Sequence, residues 1–321
     1  NYESWMRTNN RPTLSPDIVS KYVQPILEQD KKVCLLVVDC MRHDHFKSMM
    51  DLLEPSFNIV IDYKFSLLPT ATPYSRNAIF SGLYPDEMVK KYPQQAEDMK
   101  NNAPSLNQHE KQFLIDQLKK YGLRDKRVHY HKIWAVEEGK KFQNRIKDYI
   151  QQDVLALVVN FVDILAHKSS QMDVLKEMVP DESGYRTAVR SWLEHSWLLQ
   201  VLKKLSENNF TVILTSDHGS IRVQHDVMVA ASREASSGVR YKFGRNLNTR
   251  EKNALVIKEP EKFRLPSFGP QPSYIVAKDD IYFIYPNQAH KYQAKFKNSF
   301  QHGGISMEEM MVPVVIMKGR G

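Results

Sequence analysis

Several short stretches of this chain carry residue types that hold divalent cations, and each sits next to an apolar run. Asp39 closes Leu35-Leu36-Val37-Val38, Asp163 closes a longer run that begins at Leu155, and Asp217 follows Val212-Ile213-Leu214-Thr215-Ser216. His167 lies four residues after Asp163, His218 follows Asp217 directly, and His302 opens His302-Gly303-Gly304. Carboxylate oxygens and imidazole nitrogens without a thiolate suit zinc first, with manganese or iron next. A single aspartate after a strand is an ordinary loop residue or helix cap. Three of them, two with a histidine at short spacing, read as a metal centre. If the segment at Asp163 is helical, Asp163 and His167 share one face and reach one ion. Asp217 and His218 address two ions of a pair, or one ion through a tight turn that Gly219 permits.

A hydroxyl suited to attack lies in Pro69-Thr70-Ala71-Thr72-Pro73-Tyr74. Thr72 before Pro73 predicts an N-cap with proline at the first helical position, and Gly82 predicts the helix end. The hydroxyl would then stand at the positive end of a helix, a natural phosphate site. Coordination to a metal activates such a hydroxyl without a separate base. Thr70, two residues earlier, is the alternative. Arg240-Tyr241-Lys242-Phe243-Gly244-Arg245-Asn246, with Arg222 and Arg233 upstream, alternates cations with aromatics. Arg240, Lys242 and Arg245 are therefore candidate contacts to a phosphate substrate.

Elements that could position these residues follow from the pattern. Short runs rich in Val, Ile and Leu at 33–38, 58–62, 154–162, 211–215 and 312–317 predict strands buried on both faces. Helices are predicted at 15–29, with Ser15 as N-cap and a kink at Pro25, and at 108–121, 137–149 and 184–205. Strand alternating with helix argues for an α/β fold with a mostly parallel sheet, whose loops converge at the strands' carboxyl ends. From Asp217 to about residue 300 the sequence breaks into short polar pieces. It reads as a loop-rich insertion over about 220–300, capping the active site, with a hairpin joining 273–277 to 281–285.

A chain of 321 residues, 42% hydrophobic, fills one large core or two ordinary ones. No stretch stays apolar for about 18 residues, so no membrane-spanning helix is expected. Lys plus Arg number 45 against 37 Asp plus Glu, a net charge of +8 that attracts phosphates. Cys34 and Cys40 fall at opposite ends of one predicted strand, which suits reduced thiols and a cytoplasmic location. The first residue, Asn1, is not a methionine, so upstream segments are expected.

In this order the motifs resemble the alkaline phosphatase superfamily. Val38-Asp39-Cys40-Met41-Arg42, the loop from Arg240 and His302-Gly303-Gly304-Ile305-Ser306 are most similar to its PglZ domain, and there to the output domain of PorX-like response regulators of type IX secretion. The resemblance implies a three-layer α/β/α sandwich at 33–321 behind an N-terminal helical lead at 1–32. It also implies two zinc ions, one held by Asp39, Thr72, Asp217 and His218, the other by Asp163, His167 and His302. Thr72 would be the nucleophile of a phosphodiesterase acting on oligonucleotides, cyclic ones included, with no role as a reader of duplex DNA. A sensor kinase would act through a receiver domain, and a homodimer is possible on the same grounds. A phosphomonoesterase with the same centre, or a zinc-stabilised signalling module with vestigial catalysis, are the alternatives. A sulfatase is disfavoured because neither cysteine holds the nucleophile position.

Overall fold

Among the described residues thirteen strands order the chain: β1 (Val33–Val38), β2 (Phe57–Phe65), β3 (Val128–Ile133), β4 (Val154–Val159), β5 (Thr211–Thr215), β6 (Ile221–Arg222), β7 (His225–Met228), β8 (Tyr241–Gly244), β9 (Ala254–Ile257), β10 (Ser273–Ala277), β11 (Ile281–Ile284), β12 (Phe300–Gln301) and β13 (Met311–Gly319). They are seen in a computed structural model that describes residues 1–100, 108–229, 238–245, 247, 249, 251–269 and 271–320. Six of them form the central sheet in the order β2-β13-β5-β1-β4-β3. β5, β1, β4 and β3 run parallel, and β13 is antiparallel to both its neighbours.

The period of two along each strand divides two cores. Cys34, Leu36 and Val38 face one layer of helices, among them His43–Met49, Glu182–Glu194 and Trp197–Glu207. Val33, Leu35 and Val37 face the other, which includes Thr72–Ser81 and Glu110–Lys120. Ile18, Val19, Tyr22, Val23 and Leu27 of the N-terminal lead pack into that second core. In register, Val38 lies opposite Val159 and Val37 opposite Thr215, so the chain after β1, β4 and β5 emerges at one edge.

Several expectations need correction. β2 is an edge strand rather than a doubly buried one, with Val60 61% exposed. β4 ends at Val159, and a helix, Phe161–Ser169, begins where the strand was expected to continue. Asp163 therefore sits in a first helical turn, not at a strand end. β3 went unread because its sequence, Val-His-Tyr-His-Lys-Ile, is polar and half-buried. The long 184–205 helix breaks at Ser196, which accepts the Leu198 N–H at 3.2 Å and starts a new helix; the 137–149 helix divides at Arg145. At 15–29 the N-cap position falls on Leu14, whose N–H goes to Asp17, and a π-helical turn, Val19–Val23, precedes the short helix Gln24–Leu27 that contains Pro25.

The insertion is not a structureless cap. β8, β10 and β9 form an antiparallel sheet whose Phe243, Tyr274 and Val276 pack into the core beside the helix Thr72–Ser81. β10 and β11 do not form the expected hairpin; β11 pairs with β7 in parallel. The Arg240 guanidinium takes the carbonyls of Asp279 and Ile281 in their connection, which holds the two strands apart. Arg233 and Asn246 lie outside the described residues.

His45 is fully buried, with Nδ1 accepting the Arg42 N–H at 3.3 Å and its ring against Tyr185. Burial pushes its pKa down to about 3. The unfolded chain therefore binds this proton below about 6.5 while the folded one refuses it until about 3. Folding stability should fall as pH drops through that window, by up to about 1.4 kcal/mol per pH unit from this residue. His45→Gln keeps an acceptor for the Arg42 N–H and should flatten the slope in denaturant titrations between pH 6.5 and 4; an unaltered slope would refute the assignment.

Candidate metal centre

Two groups of ligand atoms meet at the carboxyl edge of the sheet. Asp39, Asp217 and His218 form one and Asp163, His167 and His302 the other, the ligand atoms in each within 4.8 Å of one another. The His218 and His302 rings stack at 4.1 Å, so the two groups adjoin. Three loops and the helix Phe161–Ser169, from distant parts of the sequence, deliver them. After β1, Cys40 takes a left-handed φ of 65° and turns its N–H to Asp217 Oδ1 at 3.3 Å, while the Met41 N–H reaches Ser216 Oγ at 2.9 Å. After β5, Ser66 Oγ and Lys64 Nζ hold the Asp217 carbonyl at 2.5 and 3.3 Å. Gly219 admits no side chain there, because a Cβ would stand 1.9 Å from the Glu308 carbonyl oxygen.

Both turn-borne histidines present the same nitrogen inward. His218 Nδ1 lies 3.0 Å from the Gly219 carbonyl and His302 Nδ1 3.2 Å from the Thr70 carbonyl. A carbonyl only accepts, so each Nδ1 carries the proton and each Nε2 is left as a bare ligand nitrogen. His167 Nε2 stands 3.3 Å from His302 Nε2 and 3.3 Å from Asp163 Oδ1. Asp39 Oδ1 and Asp163 Oδ1 are buried without a hydrogen-bond partner. Lone pairs converging from unpartnered carboxylates and imidazoles repel one another until a cation joins them. The residues present therefore fit two divalent ions.

The electrostatics agree. Burial, outweighing the Arg76 guanidinium, raises the Asp39 carboxyl well above its ordinary range, and Asp217 and Asp163 add to the rise. Burial also works against ionised Asp217, but His218 and Arg76 overcome it and hold that carboxyl far below its usual range. Asp163, despite burial, is drawn down to about 2, first by His167, whose Nε2 lies 3.3 Å from Oδ1. Burial above all brings His302 down to about 3, so it is neutral and able to bind metal near pH 7. Arg76 is the cation that makes the first group tolerable. Buried, it pairs with Asp39, donates to Asp217 Oδ2 at 3.0 Å and to Asn160 Oδ1 at 3.2 Å, and lies 3.8 Å from Glu110.

The two threonines take different places. Thr72 is half-buried, in the first turn of Thr72–Ser81 with Ala71 rather than itself at the cap position, and its Oγ1 is 3.1 Å from His218 Nε2. Thr70 is fully buried, and its hydroxyl donates to the Gly304 carbonyl at 2.7 Å and accepts the Gly303 N–H at 3.1 Å. A cavity of about 330 Å3 opens on Thr72, His167 and His302, with Gln171, Tyr241 and Lys295 also in its wall.

Residues 18–317 match the family described as BREX system PglZ alkaline phosphatase-like domain. The chain belongs to the PglZ family. Its fold is shared with the solved phosphonoacetate hydrolase from Sinorhizobium meliloti 1021 in complex with phosphonoformate, at a TM-score of 0.58 and 11% identity over 89% of each chain. None of the curated proteins searched matches the sequence. This PglZ domain is thus alkaline phosphatase-like in family and in fold. No helix among the described residues is long and apolar enough to cross a membrane.

The basic loop lies elsewhere than expected. Arg240 is fully buried in a two-pronged pair with Glu309, with contacts of 2.7 and 2.7 Å. Lys242 is buried with its ammonium 4.8 Å over the Tyr285 ring, and exposed Arg245 packs across Gly269. None of the three lines the cavity beside the ligands, so their candidate role in substrate contact does not hold in this geometry. Arg240 is a positioning residue instead. Glu309 also accepts the Gly304 N–H at 2.7 Å and the Ser306 N–H at 3.1 Å, locking the turn that carries His302. Gly303 in that turn has a φ of 113°.

Residues not singled out from sequence as parts of the centre were Arg76, Asn160, Glu110 and Glu309. Ser306-Met307-Glu308-Glu309 carries a capping-box signature that marks Glu309, whereas nothing local marks Glu110. Because Glu309→Gln leaves Arg240 charged and buried without its counter-ion, it should cost about 3–5 kcal/mol in chemical denaturation. The paired replacement Arg240→Met with Glu309→Leu should recover part of that loss; equal stability of Glu309→Gln and the parent would contradict this.

Proposed function

We propose that this PglZ domain is a two-zinc phosphodiesterase whose nucleophile is Thr72, acting on diesters of the oligonucleotide kind, cyclic ones included. The observation that carries the reading is the place of the Thr72 hydroxyl, 3.1 Å from His218 Nε2 at the cavity that His167 and His302 also line. Bound by Asp39, Thr72, Asp217 and His218 and by Asp163, His167 and His302, zinc ions supply Lewis acidity to phosphoryl oxygens and lower the proton affinity of a hydroxyl or water.

The chain's own residues do the positioning. His218 keeps its proton on Nδ1, so Nε2 is the nitrogen that would hold a metal, and the Thr72 hydroxyl stands 3.1 Å from it, placed to share the same ion. Arg76 holds Asp39 and Asp217 in place. Thr72 attacks phosphorus and displaces the ester oxygen, and water then cleaves the phosphothreonine, so two inversions retain configuration.

Neither guanidinium at the centre is available to a monoester, and among the described residues the cavity wall offers one ammonium, that of Lys295, so the substrate comparison below decides between the two ester classes. A monoester brings an extra negative charge that calls for a further cation near the nucleophile. Arg76 is committed to Asp39 and Asp217, and Arg240 to Glu309. A hydroxyl poised beside an intact ligand set also speaks against vestigial catalysis. The proposal extends to the setting: a cytoplasmic output domain of a response regulator linked to type IX secretion, driven by a sensor kinase through a receiver domain and acting as a homodimer. The motif likeness at 38–42 and 302–306 supports that extension.

Zinc-loaded protein should hydrolyse a bis-aryl phosphate diester faster than the aryl monoester. Thr72→Val should lower kcat by roughly a thousandfold or more while the fold persists, and Thr70→Val should retain turnover within about tenfold. A strong monoester preference would overturn the substrate reading, and undiminished turnover by Thr72→Val would overturn the nucleophile.

A further inference from the structure

Glu110 opens the helix Glu110–Lys120 and is fully buried, yet it belongs to neither ligand group. Its Oε1 lies 3.8 Å from Arg76 Nε, the nitrogen that also donates to Asp217 Oδ2 at 3.0 Å. One guanidinium thus faces three buried carboxylates, those of Asp39, Asp217 and Glu110. The edge strand β3 holds Glu110 through its other oxygen: the Tyr130 hydroxyl donates to Oε2, and Lys132 Nζ lies 3.2 Å from the same atom. Lys132 also acts electrostatically on Arg76 and Asp39.

Tyr130 and Lys132 alternate with His129 and His131 along β3, so the first pair takes one face and the second the other, where His129 meets Tyr149 and His131 meets Phe142. The strand reads as polar because one of its faces serves a buried carboxylate. Its end also places Asn160, whose N–H donates to the Ile133 carbonyl at 3.2 Å and whose Oδ1 accepts from Arg76.

Arg76 has opposing effects on a cation at the first ligand group. It keeps the Asp39 and Asp217 carboxylates in place, but its own charge repels the ion and competes for the lone pairs the ion needs. A third carboxylate against the same guanidinium offsets that repulsion without taking a ligand position. Arg76 does not need Glu110 as a counter-ion, since Asp39 and Asp217 already supply two negative charges. Burying another carboxylate is costly, and no hydrogen bond at Oε1 offsets that cost.

We propose that Glu110 is a positioning residue for the first metal ion: acting through Arg76, its charge raises the affinity of Asp39, Asp217 and His218 for a divalent cation, and Lys132 opposes it. The inference rests on the two-ion reading of the centre and not on the class of ester hydrolysed. It requires effects of opposite sign at two residues that lie outside both ligand groups.

Zinc affinity is measured by competition with a chromophoric chelator in the His167→Ala background, where only the first group binds. Glu110→Gln should weaken zinc by about ten- to a hundredfold. Lys132→Met, which removes a positive charge, should tighten it by roughly threefold or more. In the Asp39→Asn background, which reports the second group, both substitutions should change affinity by less than about threefold. Unfolding midpoints of the metal-free proteins are read alongside. A purely structural Glu110 would lower that midpoint in Glu110→Gln and leave zinc affinity where it was. Unchanged first-group affinity in Glu110→Gln, or unchanged or weaker binding in Lys132→Met, overturns the inference; where Glu110→Gln does not fold, Lys132→Met decides. A His167→Ala protein that binds no zinc overturns the two-ion reading and this inference with it, whereas zinc bound equally with and without Glu110→Gln overturns this inference alone.

Discussion

Arg76 is buried between two buried carboxylates, and the geometry of the centre depends on that arrangement. Asp39 and Asp217 leave neighbouring parallel strands, and without a nearby cation two carboxylates so placed in a low dielectric cannot both stay ionised. Arg76 supplies one positive charge from the side of the helix Thr72–Ser81. Thr72 and Arg76 are four residues apart on that helix and share a face. The ion pair that makes the carboxylates tolerable therefore also sets where the Thr72 hydroxyl stands. Asp39 Oδ1 is nevertheless left without a hydrogen-bond partner, a demand that a bound cation would meet.

The second ligand group depends on a different support. Its histidine from the C-terminal region rides on a turn held by Thr70 on one side and by the Glu309–Arg240 pair on the other. The insertion between β5 and β13 supplies Arg240, and through Phe243 and Tyr274 it packs against the layer that contains the Thr72 helix. It is a wall that braces both sides of the centre. Rigid support of this kind suits a site in which carbonyls fix the tautomers of His218 and His302.

Much of this was legible in the sequence because apolar runs and their flanking residues are local signals. β1, β4 and β5 lie where short Val- and Leu-rich runs placed them, and the spacing of Asp163 and His167 anticipated a shared helical face. What escaped was non-local. The extent of β4 was overread because Phe161 and Val162 are as apolar as the strand before them, and only the sheet's edge decides that they turn into a helix. The loop from Arg240 looked like a substrate contact because alternation of cations and aromatics is the same whether the charges meet solvent or a buried glutamate 69 residues away. That the Thr70 hydroxyl is engaged by the turn after His302, a contact across more than 200 residues, was likewise not legible in the sequence.

The central claim is that two ions bind, one in each ligand group, with Thr72 beside the first. The most direct test is the metal content of the purified chain, combined with anomalous scattering from its crystals. Two zinc ions per chain are expected, one among Asp39, Asp217 and His218 and one among Asp163, His167 and His302, with only the second lost in His167→Ala. A chain that holds no zinc, or that hydrolyses phosphodiesters undiminished after complete chelation, would contradict the account.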